Sequence, residues 1–308
     1  MRLRWPQMAL FLALTAAAVI AGFGSRAAAQ NPDTMMPEAN QAKARQILKA
    51  LTDEMGGSAY LDVKQRECSG RRARFGHAGE LEGYIEFNEY WEYPDKTRTE
   101  YIAKGHKNVL GYVLGISGLE ISGGGTIITQ YNGNQGWVMD RGGVEAAPET
   151  SIAEFQEGLK RSADNVLRQR LKEEGISVRY AGPDIVDMKP VEWVEIRDKD
   201  QRVVRLAMEK STRQLVRSVA TITDDASGQP ERTDETTIYS NYQRFGGLYV
   251  PMQISRERDG RKNYQAFLNS CNYSPALPQD FFTKAALEKK FAEVGKKKDK
   301  EKYKTAKD

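Results

Sequence analysis

The chain of 308 residues is short of the residues that do covalent and acid-base chemistry near neutral pH. It has two histidines, His77 and His106, and two cysteines, Cys68 and Cys271. There is no His-Glu-x-x-His, no Gly-x-Ser-x-Gly and no Cys-x-x-Cys, so zinc-protease, hydrolase-elbow and dithiol-redox motifs are missing. Carboxylates are plentiful but interleave with Lys and Arg along strand-like stretches, the pattern of solvated faces and cross-strand pairs. No catalytic residue, metal ligand or cofactor site is expected, and the chain reads as a non-enzyme. Long apolar runs are also missing after the first residues, which excludes a spanning helix in the body.

The first 29 residues stand apart. Arg2 and Arg4 precede an apolar run from Met8 to about Phe23, and Ala27-Ala28-Ala29 offers a small-residue cleavage site before Gln30. This is the pattern of a secretory signal peptide, so residues 1–29 are expected to be removed and the chain exported to the periplasm. No cysteine lies near that site for lipid anchoring. The expected body, residues 30–283, carries a net charge of −4, and residues 284–308 hold ten Lys against five acids. A mildly acidic body excludes a nucleic-acid surface. In an oxidising compartment Cys68 and Cys271 either pair or remain two small buried thiols.

Between the ends the chain reads as mainly antiparallel β with two helices. Glu38–Met55 carries Ile47, Leu48 and Leu51 at helical spacing before Gly56-Gly57. The stretch 151–173 presents Ile152, Phe155, Leu159, Ala163 and Val166 as a second stripe, with Ser151 and Glu154 spaced as a capping box. Strands surround these helices. Ile85, Phe87, Trp91 and Tyr93 alternate with polar residues, Asn132-Gly133-Asn134 marks a hairpin, and Leu248, Val250, Met252 and Ile254 alternate again. Leu215, Val219 and Thr221 are read onto one face of another strand. About ten strands of this kind must curl or close. Phe87, Trp91, Trp137, Trp193, Val250 and Ile254 are the expected lining of the concave side. A Gly-broken apolar segment, 108–125, reads as a strand plus a loose connection, with a mobile apolar lip at a cavity mouth or a membrane-touching loop as the alternative. Residues 284–308 are expected to form a short helix, with Leu287, Phe291 and Val294 as its stripe, followed by a lysine-rich disordered tail that solubilises the chain or meets an anionic membrane surface.

Two motifs carry a resemblance. The first is Tyr131-Asn132-Gly133-Asn134-Gln135-Gly136-Trp137-Val138 followed by the helix from Ser151. The second runs from Ile238-Tyr239 through Tyr242 and Gly246-Gly247 to Val250-Pro251. With the leader and the order of elements, they resemble the LolA/LolB-like superfamily of exported lipoprotein carriers, over residues 38–282. The resemblance implies an α+β fold, an incomplete β-barrel or half-barrel with a helical lid. It also implies an apolar interior that takes the acyl chains of lipoproteins or other lipids. This chain is longer than a minimal carrier and adds the lysine tail, and no functional residue of the family matches one to one. The alternative is an envelope protein-interaction or sensing module with a filled core.

Overall fold

A computed structural model of the chain describes residues 31–75, 79–103, 125–224 and 231–305. The expected signal peptide, both histidines and most of the Gly-broken segment lie outside the described residues.

Helix α1 (Pro37–Met55) and the short α2 (Ser58–Leu61) come first. A first meander follows: β1 (Gln65–Phe75), β2 (Leu81–Glu92), β3 (Lys96–Ala103), β4 (Gly125–Asn132), β5 (Gln135–Met139) and β6 (Val144–Ala146). The chain then crosses through α3 (Glu149–Arg161) and α4 (Ala163–Arg168). A second meander runs through β7 (Ser177–Val186), β8 (Lys189–Arg197), β9 (Val203–Glu209), β10 (Leu215–Asp224), β11 (Glu231–Phe245), β12 (Leu248–Arg258) and β13 (Arg261–Asn272). Helix α5 (Lys284–Thr305) ends it.

Every neighbouring pair is antiparallel, and the order is β6-β5-β4-β3-β2-β1-β13-β12-β11-β10-β9-β8-β7. Two local meanders are thus fused by one distant pairing, β1 with β13. There Cys68 faces Cys271 in register, and the two form a disulfide. The sheet curls into an incomplete barrel whose edges, β6 and β7, do not meet. The crossover from β6 to β7 links these two edges, so α3 and α4 lie across the concave mouth as a lid.

The edges are protected in different ways. β6 has three residues. At β7 the buried Asn40 of α1 accepts from the Tyr180 amide at 2.7 Å and donates to its carbonyl at 3.0 Å. Occupied or very short edges offer little backbone to another strand.

The two halves of the concave face differ. In the second half Leu48, Leu51 and Met55 of α1 pack with Val194, Leu206 and Val250 into a continuous buried core. In the first half Ile85, Phe87, Tyr101, Ile127, Val138 and Ala266 form a separate apolar patch. No residue of α1 takes part in it.

Several elements depart from the sequence reading. β7 occupies 177–186, where no strand is expected, because its apolar residues are broken by Gly182 and Pro183. The stretch 151–173 is two helices, since Ser162 is extended (ψ 124°). Helix α3 begins at Glu149 after Pro148, so Ser151 is inside it and makes no cap. A bulge between Leu215 and Arg217 turns Val219 to the convex side, away from Leu215. Finally, α5 is helical to Thr305, where disorder is expected from Gly295. Ala, Lys and Glu are strong helix formers, and Lys284 pairs with Glu288 one turn on.

α5 is anchored on the convex face of the first meander. Leu287, fully buried, meets Ile128 and Met139, and Lys290 reaches Glu100 at 2.7 Å. Replacing Leu287 with Ala is expected to cost about 2–4 kcal/mol, with a cavity under α5. Urea unfolding measures this, and an unchanged midpoint would make α5 a mere appendage.

Candidate functional site

Cross-strand register decides which residues meet under α3. Phe87 pairs with Tyr101 and Tyr101 with Ile127. Ile85 pairs with Arg72, Arg72 with Ala266, and Ala266 with Ile254. Directly paired side chains share a face, so these residues form one inward surface beneath α3.

The lid rests on that surface at its N-terminal end. Phe155 stacks on Tyr131 with ring centroids 4.6 Å apart and lies 6.4 Å from Trp91. Gly136 makes the approach possible. A Cβ there would meet the Tyr131 ring at 2.9 Å and Ile152 at 3.0 Å. At its other end the lid is held by charge. Arg161 bonds Glu235 at 3.1 Å, Glu154 meets Arg161 and Arg258, and Arg202 bonds Glu157 at 3.1 Å. No residue of α3 is buried, although Ile152, Phe155 and Leu159 form an apolar stripe. Ile152 packs on the patch, whose own residues are buried, while the rest of the stripe stays partly exposed at its rim.

The next helix is anchored far more firmly. Asp164 accepts from the hydroxyls of Tyr60 at 2.6 Å and Tyr93 at 2.5 Å, and from Arg168 Nε at 2.9 Å. Arg168 also donates to the Tyr60 carbonyl and lies 3.7 Å above that ring. Burial would raise the Asp164 pKa, but Arg168 and Arg66 hold it at about 2. The lid thus has one fixed segment, α4, and one lightly held segment, α3, with extended Ser162 between them.

Charge continues the inward surface beyond the apolar patch. Arg256 and Arg258 follow Met252 and Ile254 at the same parity on β12, and Glu235 pairs opposite Arg258. Tyr264 lies between Arg72 at 4.6 Å and Arg256 at 5.3 Å. Its hydroxyl pKa is pushed up to about 12, mainly by burial. Among the described residues no group of three His, Cys, Asp or Glu side chains is placed to hold a metal ion.

An opening of about 660 Å³ lies away from the lid, between Val63, Phe245, Leu248 and Tyr273. There β12 and β13 part, since their ladder begins only at Gln253 and Phe267.

The chain is similar in fold to several solved structures. One is a LolA superfamily protein from Nitrosomonas europaea, at 14% identity and a TM-score of 0.46, covering 79% of this chain and 99% of that one. Another is a domain ascribed to outer membrane lipoprotein sorting, from Vibrio parahaemolyticus, at 10% identity and a TM-score of 0.49, covering 81% and 100%. A DUF1329 family protein from Desulfovibrio piger gives 11% and 0.49, covering 79% and 98%. No protein-family model and no curated protein matches the chain.

The six expected lining residues divide. Phe87 sits in the apolar patch, Trp91 at its rim near Phe155, and Ile254 beside Ala266. Val250 faces inward but is buried in the filled second half. Trp137 and Trp193 are corrections, because both lie on the convex face. Trp137 pairs with Gln130, next to the inward pair Thr129–Val138, and packs with Leu287 under α5. Trp193 pairs with Ala207, next to the inward pair Val194–Leu206, and bonds Asp184 at 3.2 Å. In both strands each parity carries apolar residues, so alternation does not reveal the inward side. The residues missed were Arg72, Glu235, Arg256, Arg258 and Tyr264. The signal was present in β12, where arginines occupy the parity of Val250, Met252 and Ile254.

Proposed function

We propose that the chain is an exported, non-enzymatic carrier or binding protein for a lipid or a lipidated protein. Acyl chains would lie between α3 and the patch of Ile85, Phe87, Tyr101 and Ile127. The observation carrying this reading is the half-exposed stripe of α3, in which no residue is buried, over an apolar patch that α1 does not cover. Each buried methylene contributes about 0.8 kcal/mol, so a modest chain length suffices for useful affinity. The N-terminal leader supports a periplasmic location, and the lysines of 284–308 would bring the chain to an anionic membrane surface. A second reading, an interaction or sensing module, draws on the filled second half of the concave face.

Native mass spectrometry with organic extraction, on exported protein purified without detergent, separates the two. A co-purifying acyl lipid is expected. Phe155→Asp should lose that lipid with its circular dichroism unchanged, because Phe155 is partly exposed and belongs to the lightly held segment. Protein that is ligand-free and also ignores added fatty acids and phospholipids would favour the module.

A further inference from the structure

The charges around the lidded patch are unbalanced. Glu235, 4% exposed, is shared by three guanidiniums: Arg161 at 3.1 Å, Arg258 at 2.9 Å and Arg256 at 3.6 Å. Of the other carboxylates nearby, Glu154 on the lid is 58% exposed and bonded to Arg161 and Arg258, and Glu89 is taken by Arg66 at 2.8 Å. Arg256 is last in this sharing: its Nε stands 3.6 Å from Glu235, beyond hydrogen-bond reach and the longest of the three contacts, and its side chain is still 39% exposed. Its guanidinium instead lies against the Tyr264 ring, with Arg72 on the same ring and hydrogen-bonded to Tyr101. A partly exposed guanidinium with no hydrogen-bonded acceptor keeps donors to offer, and its planar fork suits the oxygens of a phosphate or carboxylate. Tyr264 also packs against the apolar patch, so cation and apolar surface are continuous.

We infer that the site takes an anionic amphiphile, its phosphate or carboxylate oxygens bound by Arg256 and its chain laid along Ile85, Phe87 and Ile127. This rests on the carrier reading and names its ligand class. The acid is expected to displace no existing partner, since Arg256 has donors to offer while Arg161 and Arg258 keep Glu235. Opening of α3 would then admit the chain beside a head group already held at the rim.

The test compares dodecyl phosphate, dodecanol and inorganic phosphate on the exported protein and on Arg256→Gln, by calorimetry. Dodecyl phosphate is expected to bind at least about ten-fold tighter than dodecanol, the scale of one charge-assisted hydrogen bond. Arg256→Gln should remove that preference and leave dodecanol binding unchanged, with Arg161 and Arg258 still satisfying Glu235. Equal binding of phosphate ester and alcohol, or an unaltered preference in the variant, overturns the anionic head group while the carrier reading stands. Inorganic phosphate binding as tightly as dodecyl phosphate overturns the amphiphile in favour of a free anion. Failure of both twelve-carbon probes overturns this inference and the carrier reading together.

Discussion

Opening the Cys68–Cys271 bridge is expected to lower the stability of the chain by about 2–5 kcal/mol. The two cysteines are 203 residues apart. A bridge over so long a loop restricts the unfolded chain strongly, with an upper limit of roughly 5 kcal/mol. Its position matters as much as its span. β1 and β13 form the one pairing that joins the two meanders, and this pairing is irregular, with a register shift between Ser69 and Gly70. Gly70 is required there, because a Cβ would collide with the Phe267 carbonyl. The disulfide clamps this seam. Ala266 and Leu268, on the same strand, belong to the apolar patch, so under the proposed carrier function a looser seam should also weaken ligand retention. Urea unfolding of the double variant Cys68→Ala/Cys271→Ala gives the measurement. The midpoint should fall and the denaturant slope should rise, since an unbridged unfolded chain exposes more surface. A loss under about 1 kcal/mol would mean the ladder alone holds the seam.

Arg168→Met is expected to destabilise the fold by about 3–5 kcal/mol at pH 7, because it strands a carboxylate among buried groups. Arg168 is 1% exposed and is the nearest cation to Asp164. Met keeps much of the volume, so the loss reports charge more than packing. The double variant Arg168→Met/Asp164→Asn should recover part of the loss, since the stranded charge is gone. Simple additivity of the two single effects would contradict this account.

The same cluster sets an acid limb. Asp164 titrates near 2 in the folded chain, below the ~4 of an unfolded Asp. A carboxylate depressed by folding stabilises above the unfolded value and loses that contribution as pH falls from ~4 towards 2. With Arg168 removed the depression shrinks, so stability should fall less steeply over that window. α4 carries both residues and is the fixed end of the lid, so its loosening should also raise the exchange of ligand.

Much of the fold is legible in order of residues alone. The Asn132–Asn134 turn, the alternation of β2 and β12 and the stripe of α1 are local patterns, and each matches the element formed. The site was legible only in part. Phe87 and Ile254 reach the patch because one parity of their strands is clearly apolar. Trp137 and Trp193 do not, since Val138 and Val194 at the opposite parity compete for the inside. Along the strand Arg256 and Arg258 look like the interleaved charges of a solvated face, although they continue an inward row. Glu235, which Arg258 holds at 2.9 Å and Arg256 only at 3.6 Å, comes from a different strand and is not visible along β12 itself.

Strand rhythm, turn positions and the lid's apolar stripe depend on backbone preferences and side-chain spacing within a few residues, so they can be read along the chain. The pairing of β1 with β13, the inward parity of each strand and the bonding of Cys68 to Cys271 depend on contacts some 200 residues apart. Those were decided only in the tertiary structure, where curling brings the two meanders together and one bulge is enough to turn a side chain to the other face.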